Sequence, residues 1–115
     1  MNKIRLVVNN ESKRNEKEKF FIKKELQSIL NLYAKMVSNG SWKDYSFTSG
    51  IKEVSFDVYQ RASEKPVLRI LKNLKPKYFN EKYLIKDKNG AVLKKSENLN
   101  QLISKTSWNK LKLIK

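Results

Sequence analysis

The chain has 115 residues, 39% hydrophobic and 32% charged, and its 26 Lys and Arg against 11 Asp and Glu give a net charge of +15. Cysteine and histidine are both absent, which excludes disulfides, thiolate nucleophiles, thiolate metal sites and imidazole acid–base chemistry. No apolar run approaches the roughly 18–20 residues of a membrane span, and the first residues lack a signal-peptide pattern, so a cytoplasmic protein without metal or cofactor is expected.

The length predicts one domain, large enough to hold a core without staples. Residues 1–19 join a short apolar segment, IRLVV, to the charged stretch NNESKRNEKEK. The charged part has nothing to bury and is expected to be mobile; IRLVV reads as an added edge strand or as part of a tail. The domain proper is expected over 20–115. Residues 20–39 read as a helix, because Ile22, Leu26, Ile29, Leu30, Tyr33 and Val37 form a stripe at the 3.6-residue period. Asn39–Gly40 supplies its stop. No Ser, Thr or Asp stands just before Ile22 to mark its start.

Beyond Gly40 the period changes to two. YSFT (45–48) alternates, and EVSFDVYQR (53–61) sets Val54, Phe56 and Val58 against Ser55, Asp57, Tyr59 and Arg61. After ASEKP comes VLRIL (67–71). A hairpin is expected in which Arg61 faces Val67, Tyr59 faces Arg69 and Asp57 faces Leu71, with Leu68 and Ile70 on the apolar side. NLKPKYFNEK (73–82) reads as a basic loop; YLIKD (83–87) and AVLKK (91–95) flank KNG, a hairpin signal. Ser96 is placed to cap a last helix with the stripe Leu99, Leu102 and Ile103. The tail TSWNKLKLIK extends that helix or forms an edge segment. The predicted fold is α+β, a single domain with an antiparallel sheet of four or five strands covered on one face by an N-terminal and a C-terminal helix.

Three stretches taken together, ELQSILNLYAKMVSNGSWKDYSF, FDVYQRASEKPVLRILK and NGAVLKK, resemble an uncharacterised alphaproteobacterial family, the domain of unknown function numbered twenty-seven ninety-four. The resemblance covers roughly residues 20 to 103. It places Glu25, Leu26, Gly40, Trp42, Lys43, Asp44, Tyr45, Arg61, Glu64, Pro66, Arg69 and Gly90 at signature positions, and it implies no activity. The family often has Asp where Ile22 stands, which would be its helix cap; in this chain that cap is lost or shifted.

The charge is uneven. Residues 1–24 carry 8 positive and 3 negative charges, 25–64 carry 4 and 5, and 65–115 carry 14 and 3. Of the basic residues 22 are Lys and 4 are Arg, beside 12 Asn, the composition an A/T-rich genome produces in any protein. The concentration after residue 65 nonetheless points to a basic face, and a basic face attracts polyanions. Candidate phosphate contacts are Lys43, Arg61, Arg69, Lys72, Lys75, Lys77, Lys86, Lys94 and Lys95; candidate stacking rings are Trp42, Tyr45, Tyr59, Tyr78 and Phe79. GSWKDYSF (40–47) reads mainly as the corner between helix and sheet, with Trp42 as its plug. Asp57, Tyr59, Arg61, Glu64 and Arg69 read either as a satisfied charge network or as a recognition face. No nucleophile elbow, P-loop or carboxylate cluster for a hard metal is present. The expected function is a small noncatalytic nucleic-acid-binding protein, DNA or RNA. The alternative is an interaction module whose open sheet face docks an acidic protein or a second copy of itself.

Overall fold

The computed structural model describes residues 18–61 and 65–108; IRLVV, most of the charged N-terminal stretch, Glu64 and the last seven residues lie outside them. Helix α1 (Lys23–Ser38) is followed by β1 (Asp44–Ser49), β2 (Glu53–Tyr59), β3 (Leu68–Asn73), β4 (Tyr83–Asp87), β5 (Val92–Ser96) and helix α2 (Leu99–Lys105). The strands form one antiparallel meander in the order β1-β2-β3-β4-β5, the α+β domain expected from the sequence. No helix among the described residues is long and apolar enough to cross a membrane.

α1 begins without a side-chain cap, because Ile22 stands at the cap position. The first turn is secured from the other side: the Glu25 carboxylate accepts the Ile22 N–H at 2.8 Å, half of a capping box. The helix ends as Asn39–Gly40 predicts. Gly40 takes a φ of 83°, its N–H donates to the Val37 carbonyl and the Ser41 N–H to that of Met36. This is the paired closure that a left-handed residue allows. The buried stripe, however, is Glu25, Ile29, Leu32 and Met36. Ile22 is 43% exposed, and Leu30 and Val37 are each 39% exposed. Two overlapping stripes share Ile29, and the anchoring of Glu25 beneath the sheet selects the other one.

One face of the sheet carries Val54, Phe56 and Val58 of β2, Leu68 and Ile70 of β3, and Tyr83 and Ile85 of β4, all buried with Ile29, Leu32 and Met36 of α1 and Leu99 and Leu102 of α2. The β2–β3 hairpin keeps the expected faces in a different register. Asp57 faces Arg69 and Phe56 faces Ile70, two residues away from the predicted pairing. The slip is even, so each side chain stays on its side of the sheet. In the β4–β5 hairpin Gly90 has a φ of 86°, and the Asp87 carboxylate accepts the N–H groups of Asn89 and Ala91. Asn98, not Ser96, caps α2 by accepting the Gln101 N–H; Ser96 instead accepts the Asn98 N–H. The helix does not continue into the tail, because Thr106 is extended. Trp108 folds back, its Nε1–H donating to the Ile103 carbonyl at 2.9 Å.

Candidate nucleic-acid interface

The meander sorts the candidate residues by strand parity and loop position. Trp42 is 5% exposed, and Trp108 meets its ring edge-on at 5.8 Å. Its backbone N–H closes on the Met36 carbonyl at the end of α1. It is the plug of the helix–sheet corner, and no base reaches its face, so it leaves the set of stacking rings. Tyr45 lies on the helix side, edge-on to Tyr33 at 4.8 Å and tilted against Phe56 at 5.2 Å; it belongs to an aromatic cluster along β1. Tyr59 is half-buried, its hydroxyl 3.1 Å from that of Ser46.

Lys72 is corrected more sharply. It is 1% exposed, because β3 runs on to Asn73 and residue 72 shares the inward parity of Leu68 and Ile70. Its Nζ lies 2.8 Å from Glu25 Oε1 and 2.6 Å from Glu18 Oε1, and it donates to the Phe20 carbonyl. The other Glu25 oxygen accepts the Tyr83 hydroxyl. Burial, and then the Glu25 carboxylate, push the Tyr83 phenol well above its ordinary value. Every donor of the ammonium has an acceptor, so Lys72 anchors α1 to β3 and β4 and contacts no phosphate. The sequence reading missed Glu18, Glu25 and Tyr83 as its partners.

The opposite face holds a second network. Asp57, 1% exposed, accepts the hydroxyls of Thr48 at 2.6 Å and Ser55 at 2.7 Å. Arg69 Nε stands 3.4 Å from the same carboxylate while its side chain remains 43% exposed. The cross-strand charge network expected of Asp57 and Arg69 is thus present. Lys86 lies directly across from Arg69. Lys95 is on this face too, opposite Leu84 and 3.8 Å from Glu81. Lys94 pairs with Ile85 and so projects to the helix side. Lys43 and Arg61 are both exposed, each adjoining the end of β2; the Lys43 N–H donates to the Tyr59 carbonyl.

The remaining candidates gather in the connection between β3 and β4. Lys75 and Lys77 are exposed, Tyr78 is 58% exposed and Phe79 81%, and Lys77 Nζ lies 5.8 Å from the Tyr78 ring centroid. A short 3-10 turn, Phe79–Glu81, holds this segment. Its base is tied to the neighbouring hairpin, the Leu74 N–H donating to the Lys52 carbonyl, and to β4, the Asn73 N–H donating to the Lys82 carbonyl. The rings therefore project from a fixed base.

No curated protein and no solved structure matches this chain. A family model described as a protein of unknown function, DUF2794, matches residues 19–103, a span that includes α1, all five strands and the first five residues of α2. With residues 19–103 of its 115 inside that match, the chain belongs to the DUF2794 family.

Proposed function

We propose that this protein is a noncatalytic domain that binds single-stranded nucleic acid through the 74–82 connection. The observation that carries the reading is the exposure of Tyr78 and Phe79, 58% and 81%, in a segment that also presents Lys75 and Lys77. Two adjacent rings left in water are a cost that a fold of this size avoids when it can bury them. Beside cations they form the combination that holds a strand: rings stack on bases and ammonium groups neutralise phosphates. Lys86, Lys95 and Arg69 extend the positive potential along the open face. The alternative, docking of a protein on that face, has less support, because Ser55, Asp57 and Leu71 there are already buried.

The test is fluorescence anisotropy with a labelled single-stranded oligonucleotide across a salt series. Tyr78→Ala with Phe79→Ala is expected to weaken binding about 10- to 100-fold at fixed salt, on the scale of one or two lost stacking contacts. Lys75→Ala with Lys77→Ala is expected to lower the log–log salt slope by roughly 1.4, the share of two phosphates on a single strand. Wild-type affinity and slope in both variants would remove the proposal.

A further inference from the structure

A cleft of about 430 Å³ opens on the open sheet face. It runs along the sheet from the β2–β3 connection and the β4–β5 turn, past Leu71, to Glu53, which pairs with Asn73 at the end that carries the 74–82 connection. Lys65, Arg69, Lys86 and Lys88 line it, with Glu53 and Asp87 as its carboxylates. The volume falls within the roughly 300–1,000 Å³ usual for small-molecule sites.

We propose that this cleft binds the phosphate group of a phosphate monoester. Three features support it. Arg69 is oriented from behind: its Nε faces Asp57, itself fixed by Thr48 and Ser55. No other described residue accepts from its terminal nitrogens, so among the described residues the planar fork that suits phosphate is held by its base and open at its tip. Next, Arg69 and Lys86 are directly opposite across β3 and β4, a like-charge pairing that destabilises a sheet until an anion lies between. Lastly, the lining carries four cations against two carboxylates, and with Asp57 counted behind Arg69 the cations are still in excess by one. One of those carboxylates, Asp87, is turned away into the hairpin, where it accepts the Asn89 and Ala91 amides. The monoester dianion, the form present above a second pKa of about 6, gains more from these cations than the monoanion does. None of these three features involves the Tyr78 and Phe79 rings, so the site stands or falls without them.

The experiment is a titration of the full chain with AMP, adenosine and inorganic phosphate, followed through backbone amide resonances. AMP and phosphate are expected to move the amides of residues 65–69 and 86–90 saturably, adenosine to leave them in place, and AMP affinity to fall below about pH 6. Lys86→Ala with Lys88→Ala, both outside any ion pair among the described residues, is expected to weaken AMP at least about 10-fold through the two lost charges. Tyr78→Ala with Phe79→Ala, which removes the rings of the 74–82 connection and no residue of the cleft lining, should keep AMP binding. A 5′-phosphorylated oligonucleotide that displaces AMP when its unphosphorylated twin does not places the monoester on a strand end. Failure of both to displace it places the monoester on a nucleotide-sized ligand. Either result supports the site. Equal displacement by both strands overturns it, as does an AMP response unchanged in the variant, one confined to residues 75–79, or none by about 10 mM.

Discussion

The two faces of the sheet each carry a buried carboxylate, and the two are used differently. On the helix side Glu25, 8% exposed, meets a cation that is itself 1% exposed, and Tyr83, Glu18 and the Phe20 carbonyl complete the set. On the open side Asp57, 1% exposed, meets Arg69, which leaves 43% of its side chain in solvent. The first network is closed around its ammonium: all three donors of Lys72 are spent inside the fold, so it holds α1 to β3 and β4. The second is open at one end. It fixes the base of a guanidinium and, among the described residues, leaves its tip without an acceptor. Similar residue types thus serve architecture or recognition according to whether the cation's far side is sealed.

The sharpest way to break this contrast is to remove each carboxylate's cation or each cation's carboxylate. Lys72→Met leaves Glu25 buried without its counter-charge, and a loss of about 3–5 kcal/mol in unfolding free energy is expected from urea denaturation. A loss below about 1 kcal/mol would mean that the network is not the closed anchor described. Asp57→Asn acts on the open network. Arg69 can turn to water, so the loss is expected to be smaller, about 1–3 kcal/mol, and to appear also as weaker AMP binding in the cleft.

Much of this was legible in the residues. The alternation of Val54, Phe56 and Val58, the KNG turn and the Asn39–Gly40 stop gave all five strands and the end of α1, because period and turn chemistry are local. The misses share one cause. Lys72 read as surface because lysine is seldom buried unless paired, yet two residues beyond Ile70 it falls on the inward parity of β3. Glu25 likewise sits four residues before Ile29, on the stripe that is buried. Either position alone looks like a polar residue in the wrong place. Only the tertiary packing of α1 against β3 shows that the two satisfy each other. The hairpin register slipped by two for a similar reason: the apolar faces agree in both registers, and the Asp57–Arg69 pairing that distinguishes them is polar. Lys65 was overlooked because the β2–β3 connection offered no pattern to say which side of the sheet it would flank.

Tyr83 supplies the mildest and most discriminating probe. Tyr83→Phe removes one hydrogen bond to Glu25 and keeps the ring, so near neutral pH the expected loss is about 1 kcal/mol. The alkaline limb separates the closed network from ordinary lysine titration. In the unfolded chain a tyrosine gives up its proton near pH 10; in the folded protein burial and Glu25 hold that proton to higher pH. Below about pH 10 both states carry it and the group adds no slope. Above that, the unfolded state binds fewer protons than the native state, so unfolding free energy must fall as pH rises, by up to about 1.4 kcal/mol per pH unit from this group. Lysines titrate over the same range in wild type and variant, so the difference between the two urea-stability curves, measured from about pH 8 to about pH 11, isolates the phenol. The wild-type advantage is expected to shrink across the upper part of that range. An advantage that stays constant would mean that the Tyr83 proton is not held by the fold, and that the helix-side network is open to solvent as the Arg69 side is.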